Sequence, residues 1–478
     1  MMRLSIPPAI KTFVSILVVM TSVRCAWAQA EPIGYRTWTS RKGTQITARL
    51  IRQTGSQVVL RNESGKEFRV GLSALSPEDI AYVDSLRRSA GTKSSSSGTD
   101  WPGWRGPARD GKSTETGLLK SWPPGGPKRL WEKNDIGEGY SGVAVASGSV
   151  YVTGAISDQL RVFSYDLNGK SRWTITHGPS WTKSHSGTRA TPTIDGDELY
   201  LLSGNGKIAC YRTRDGREIW TRDMGDFGGR PGGWGYSESL LVNEGQIYAS
   251  PGRRKSMVAL DKKTGRTLWE SSGNGGSAQY CSPILIKHGS TSMLINGNGG
   301  GLFALNVKDG KLLWSTDFSA NNTANVPTPA YADDHVFWSN GYGKGGICMK
   351  LTAGGSAGEA WRTKELVCHH GGFIIHEGYI YGNHGGGWTC LELKSGRVKW
   401  NAKGVGKGSL CYADGMLYTF GESGGKMGLV SCSPDRFEQK GEFSVAGGGP
   451  SWAHPVVAGG RLYLRYAENL YCFDINAN

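Results

Sequence analysis

Residues 257–270, MVALDKKTGRTLWE, read as two short, largely apolar strand runs around a polar turn. Met257, Ala259 and Asp261 alternate with Val258 and Leu260, residues 262–265 carry turn chemistry, and Thr267, Leu268 and Trp269 run apolar on the way back, which predicts a two-stranded hairpin. A hairpin of this size cannot bury its own tryptophan. The pattern returns at 208–220, 302–314 and 388–400, and more loosely at 162–173 and 347–361. A closing tryptophan therefore stands at Trp173, Trp220, Trp269, Trp314, Trp361 and Trp400. The gaps of 39 to 49 residues lie around the period of four-stranded propeller blades.

Each repeat is preceded by two further strand runs. Counting these runs gives eight units, at 142–153, 191–202, 239–250, 282–295, 328–339, 371–382, 409–420 and 454–465. Residues 101–127, rich in Trp, Pro and Gly, are expected to form an extended, irregular lead-in. Residues 129–133, RLWEK, match the last strand of a repeat without its three predecessors, while 454–457, 461–465 and 469–474 are three strands lacking a fourth. An N-terminal strand that completes the last blade accounts for both fragments and removes two exposed sheet edges. The expectation is an all-β fold, an eight-bladed β-propeller spanning 101–478 and closed by that strand. Trp131 would then close blade eight, and Phe443 would stand in the tryptophan position of blade seven.

Composition agrees: the 478 residues include 72 Gly, 17 Trp, 19 Tyr and 12 Phe. Residues 1–30 read as a signal peptide, with Arg3 and Lys11 ahead of an apolar run at 13–23 and small-residue cleavage sites at 26–28 or 28–30. That run is too short to span a bilayer and no other approaches spanning length, so the protein is expected to be exported, periplasmic or extracellular, and not membrane-spanning. Arg24 before Cys25 argues against a lipoprotein signal. The net charge of +15 comes from basic residues interleaved with acids, the pattern of a solvated surface; no nucleic acid partner is expected.

Residues 34–88 form a separate unit. Four short alternating runs at 36–40, 45–52, 57–61 and 67–70 are followed by Ser76-Pro77-Glu78-Asp79, which opens a helix with Ser76 as N-cap, Pro77 at the first helical position and Asp79 reaching back. The run through Leu75-Ser76-Pro77-Glu78-Asp79 resembles the SLA-type homology domain, an SH3-like small barrel. That resemblance implies a packing module or a binder of short peptide motifs. Residues 89–100, SAGTKSSSSGTD, read as a flexible Ser/Gly linker.

The blade repeats resemble the pyrroloquinoline-quinone (PQQ) propeller repeat: Ala259-Leu260-Asp261, Thr264-Gly265 and Trp269 match its signature fully, and the other blades match in part. The openings WPGWRGP and SWPPGGPKRLWEK are similar to the start of secreted bacterial PQQ-like, BamB-like propellers. This resemblance covers 101–478 and implies one of two things. The family includes quinone-dependent alcohol dehydrogenases and the non-enzymatic scaffold of the outer-membrane β-barrel assembly machinery. The dehydrogenases use a vicinal disulfide, a Trp floor, a Glu and Asn calcium pair and a catalytic Asp. No two cysteines are adjacent here, and that set has no residue-by-residue counterpart.

In a propeller the loops entering each first strand converge around the channel. Here they carry Tyr140, Trp181, His185, Arg189, Trp234, Tyr236, Glu238, Tyr280, Asn325, His369, His370, Trp452 and His454, and the Gly-rich loop at 382–388 adds His384. Aromatic rings with a few polar groups suit a sugar, a quinone or a peptide, or else plug a narrow channel mouth. His369, His370 and His384 lack metal-ligand spacing, and no nucleophile elbow or P-loop occurs. Cys210, Cys390 and Cys472 occupy a slot filled by Ala elsewhere and are expected as buried packing residues; Cys281, Cys368 and Cys411 leave room for one bridge. The expected function is a non-catalytic envelope propeller that binds a protein or glycan on its loop face, with no cofactor. The alternative is a PQQ- and calcium-dependent alcohol or sugar oxidoreductase with a divergent site.

Overall fold

The computed structural model describes residues 36–54, 57–80, 82–83, 100–321 and 323–477. The signal-peptide reading of 1–30 and most of the linker lie outside the described residues. The chain divides into two compact units, Met1–Lys93 and Ser94–Asn478.

In the first unit, strands Arg36–Thr39, Gln45–Thr54, Gln57–Asn62 and Glu67–Gly71 form one antiparallel meander. Trp38, Ala48, Val58, Leu60, Leu75 and Val83 make its core, and the Trp38 indole donates to the Ala48 carbonyl at 2.9 Å. Residues 77–80 are helical, and Ser76 Oγ accepts from the Asp79 amide at 3.2 Å. The Asp79 carboxylate departs from the expected capping box. It accepts from the Thr39 amide at 2.6 Å and from Arg36 at 2.8 Å, tying the helix to the first strand.

The second unit is all-β, a β-propeller of four-stranded antiparallel sheets; among the described residues there are eight of them. Their inner strands are Ala144–Ala146, Thr193–Asp195, Leu241–Asn243, Ile284–His288, Ala330–Ala332, Phe373–His376, Gly408–Ala413 and Val456–Ala458. Seven sheets follow chain order. The eighth takes Arg129–Lys133 as its outer strand, paired with Asn469–Asp474 so that Trp131 faces Cys472. One chain end thus supplies the edge that the other lacks.

The repeat residues explain how neighbouring sheets grip each other. Asp261 Oδ1 accepts from the Thr264 amide at 2.8 Å and the Thr264 hydroxyl at 2.7 Å, which shapes the turn. Gly265 then takes φ +68°, and a Cβ there would meet the Trp220 ring of the preceding sheet at 2.7 Å. The same indole donates to the Lys262 carbonyl at 2.9 Å. Trp131, Trp173, Trp361 and Trp400 likewise donate to the next sheet, at Leu167, Thr213, Leu393 and Ser433. Trp269 and Trp314 pack there with no hydrogen-bond partner for the indole nitrogen.

The lead-in is irregular, as expected, and its residues 101–113 pack against the inner strands. Trp101 is 2% exposed and exchanges backbone hydrogen bonds with Val145 at 2.7 and 2.8 Å. The Pro102 carbonyl accepts from Ile194, Trp104 donates to Thr328 at 2.7 Å, and Arg109 donates to Ser239 at 2.7 Å and Leu240 at 3.0 Å. Arg105 donates to Phe373, and the Ser113 amide to Tyr412. Residues 101–113 therefore contact six of the eight sheets. Inner strand edges leave unpaired carbonyls and amides, and a chain without regular structure satisfies them wherever they point.

All eight described cysteines are free, and Cys210, Cys348, Cys390 and Cys472 are fully buried. Cys210, Cys390 and Cys472 pair across their sheets with Trp220, Trp400 and Trp131, the register held by Ala259 and Ala304 elsewhere. Alanine at these three positions is expected to cost about 1 kcal/mol each. Thiol titration of the denatured, unreduced chain should find all eight of these cysteines reactive; a shortfall would reveal a bridge.

Candidate functional site

Eight of the fourteen loop-face candidates line a single cavity of about 180 Å³: Tyr140, His185, Arg189, Trp234, Tyr280, His369, His370 and Trp452. Trp452 is the centre of its aromatic wall. His370 stacks on it at 4.3 Å and 21°, Tyr140 lies at 4.6 Å and His185 meets it edge-on at 5.0 Å. Trp234 and Tyr280 form a second ring pair at 5.7 Å, fixed by the Trp234 amide donating to the Tyr280 hydroxyl at 3.3 Å. His369 bonds Tyr342 at 3.1 Å and accepts from Lys407 at 3.0 Å. Arg189 is held by the carbonyls of Ser184, His185, Gly187 and Trp234, so it ties two loops together while facing the cavity.

The other six candidates depart from the expected loop-face role because their loops turn them inward. Trp181 is 3% exposed and sits against Gly204 and Gly235. Tyr236 donates to the Pro251 carbonyl inside the core, and Asn325 braces its loop through Ala320 and Gln279. His384 accepts from the Val367 amide at 3.1 Å. His454 lies one layer below the cavity, bonded to the His370 carbonyl and packed on Trp104 at 4.6 Å. Glu238 is fully buried and accepts from the Ser250 amide at 2.9 Å.

Sequence reasoning missed Trp104, Ser237, Ser239, Ser282, Ala324, Val326 and Tyr342 as cavity residues. Trp104 stands in the WPGWRGP run, where no periodicity tells inside from outside. Tyr342 sits in a Gly-rich loop between the second and third strands of its sheet, the same kind of loop as the one at 382–388. The three serines precede inner strands and carry no motif.

Burial sets the charge of the site. His369 is pushed down to about 4 by desolvation and Lys407, and His454 to about 3 by desolvation and Arg105, so both imidazoles are neutral near pH 7. Desolvation also lowers His370 well below the usual range. Arg189 and Arg109 are lowered to about 10, again by desolvation, and remain charged. Desolvation raises Glu238 to about 8, so that it is protonated at neutral pH.

The residues present do not fit calcium, which needs several oxygen ligands. No Asp, Glu, Asn or Gln lines the cavity, and no group of three or more His, Cys, Asp or Glu among the described residues could hold a metal ion.

Glu238 makes the pH dependence testable. Its folded-state value lies above the ordinary carboxyl value of 4.5. Between those two values the folded protein holds a proton that the unfolded chain has lost, so this group's contribution falls as pH rises toward 8. His454 acts in the opposite sense, losing stability as pH drops below 6.5 toward 3. Glu238→Gln is expected to flatten the decline between about pH 5 and 8. Urea unfolding across that range measures it, and an unchanged slope would show that Glu238 is not the titrating group.

Comparison with known proteins agrees with the fold. The PQQ_2 family, described as outer membrane protein assembly factor BamB, matches residues 158–402, just over half of the chain. The outer membrane protein assembly factor BamB of Moranella endobia (strain PCIT) is 28% identical over 148 residues, 31% of this chain and 34% of that protein. The chain thus spans about a third of that relative's length, and under half of the other assembly factors matched. Among solved structures, BamB from Moraxella catarrhalis superposes with a TM-score of 0.56 at 12% identity, covering 73% of this chain and 100% of that one. Quinohemoprotein alcohol dehydrogenase from Comamonas testosteroni gives 0.58 at 12% identity, covering 80% and 81%. At such identities these structures speak for the fold alone. With its propeller sheets, its glycine turns packed on tryptophans, and a family match over residues 158–402, this chain belongs to the PQQ_2 family of outer membrane protein assembly factor BamB.

Proposed function

We propose that this chain is a non-catalytic, exported eight-bladed propeller that binds an envelope protein or glycan through the ring-lined cavity at the head of its channel. The observation that carries this reading is the donor set. Tyr140, Trp234, Tyr280, Tyr342 and Trp452 offer ring faces and hydroxyls, while no carboxylate or amide oxygen stands in the cavity to hold a metal or abstract a proton. Three imidazoles line the cavity: His185 lies edge-on against Trp452. His369 is engaged on both nitrogens, and His370 is buried against Trp452. The family membership supports an envelope role, and the first unit, read as an SLA-type SH3-like domain, would make a second contact with a short peptide.

The purified protein supplied with PQQ and calcium is the decisive test against a quinoprotein dehydrogenase. No bound-quinone absorbance and no reduction of an artificial acceptor by alcohols or sugars are expected. Turnover that is lost in Trp452→Ala would overturn the binding-protein reading. The two units are further expected to fold independently. Limited proteolysis should cut between residues 89 and 100 and leave a stable fragment that begins near Trp101. Resistance to cleavage together with co-melting of the units would count against that division.

A further inference from the structure

Four guanidinium groups stand in or behind the wall of the cavity. Arg189 is in its wall. Arg109 lies directly behind, donating to the carbonyl of the lining residue Ser239. Arg105 lies behind His454 and is 3% exposed. Arg465, 1% exposed, is close enough to Tyr140 for their charges to couple. The hydrogen bonds of all four go to carbonyl and hydroxyl oxygens, and among the described residues none of the four forms an ion pair. Of the carboxylates whose charge reaches these groups, Asp110 beside Arg105 is paired with Lys112 at 3.1 Å, and Glu238 beside Arg109 is protonated near pH 7 because burial raises it to about 8. Lys407 is already paired with Glu422 at 2.7 Å.

Burying charge without a counter-ion is costly, and carbonyl dipoles offset the cost only in part. Four such groups around one cavity generate a positive potential in a site with low-dielectric aromatic walls, where an entering anion is held more strongly than in water. The walls are ring faces, and the volume of about 180 Å³ is on the scale of one six-membered ring with its substituents. Resting on the reading of this cavity as a binding site, we propose that its ligand is a ring carrying a carboxylate, stacked between the Trp452 and Trp234 walls with its charge toward Arg189. Such a group occurs in acidic sugars and in aryl acids.

Trp104, Trp234 and Trp452 in the lining supply a fluorescence readout. The mature protein would be titrated with D-glucuronate against D-glucose, and with 4-hydroxybenzoate against 4-hydroxybenzyl alcohol, at low and high salt. At least one acid is expected to bind about tenfold or more tightly than its neutral partner, as one charge-assisted contact implies, and to weaken with salt. Preference for glucuronate assigns an acidic sugar, and preference for hydroxybenzoate an aryl acid. Arg189→Met should remove most of the acid preference. Tyr342→Ala, at the exposed rim, should weaken acid and neutral ligands alike. If neutral rings bind as well as their acids, the anion assignment falls while the cavity remains a binding site. If no ring of either kind binds, the reading of the cavity itself falls.

Discussion

Trp101→Ala is expected to destabilise the propeller unit by about 3–5 kcal/mol, the range for removing a large ring from a packed core. Trp101 is 2% exposed and belongs to a core cluster shared by the first, seventh and eighth sheets. Gly106, at φ +80°, packs so closely on the ring that a Cβ would sit 3.1 Å from it. Trp131→Ala should cost less, because that indole is only half-buried at the outer strand and gives up one hydrogen bond, to Leu167. Both residues precede the first complete repeat, so sequence position alone does not separate them; an exposed lead-in would have given the reverse order. Denaturant midpoints of the two variants decide it. If Trp101→Ala is no worse than Trp131→Ala, residues 101–113 do not pack across the inner strands. Deleting 101–133 removes both the lead-in and the strand that completes the eighth sheet, and aggregation through the bared edge at Asn469–Asp474 is the expected outcome.

Arg465→Met is expected to cost about 2–4 kcal/mol, since several buried acceptors lose a charged donor at once. The guanidinium donates to the Ser141 hydroxyl and the carbonyls of Thr153, Gly137 and Ala467, which joins the last sheet to the first. Desolvation lowers the group to about 9, so it remains charged at neutral pH, and part of the bonding is offset by the cost of its burial. Arg465→Lys should recover little, because an ammonium cannot reach acceptors on opposite sides of a planar fork. Urea unfolding of the three proteins measures the order. A methionine variant as stable as the parent would show that the seam is held by strand pairing and packing alone.

The propeller repeat was legible in the sequence because its signals are local. Asp261, Thr264 and Gly265 shape one turn among themselves, and Trp269 recurs at a fixed offset from it, so period and strand identity follow from neighbouring residues. The outer strand at Arg129–Lys133 was legible for a related reason: an unpaired RLWEK and a three-stranded remainder at the C-terminus have one economical solution. The lead-in was not legible. Trp101, Trp104, Arg105 and Arg109 obey no period, and what buries them is a set of unpaired inner-strand groups contributed by sheets up to about 300 residues away in the chain.

The candidate site divides along the same line. Loop position alone put Tyr140, Arg189, His370 and Trp452 at the channel mouth. It could not tell them from Trp181, Tyr236 and Glu238, whose loops turn inward where Gly204 and Gly235 leave room for a ring. The sequence by itself determined that this chain builds repeated, tryptophan-locked sheets and closes them with its own early strand. Only the tertiary structure decided which loop residues share a cavity and that four arginines stand in or behind its wall with no ion pair among the described residues, because both depend on contacts between sheets that no local pattern encodes.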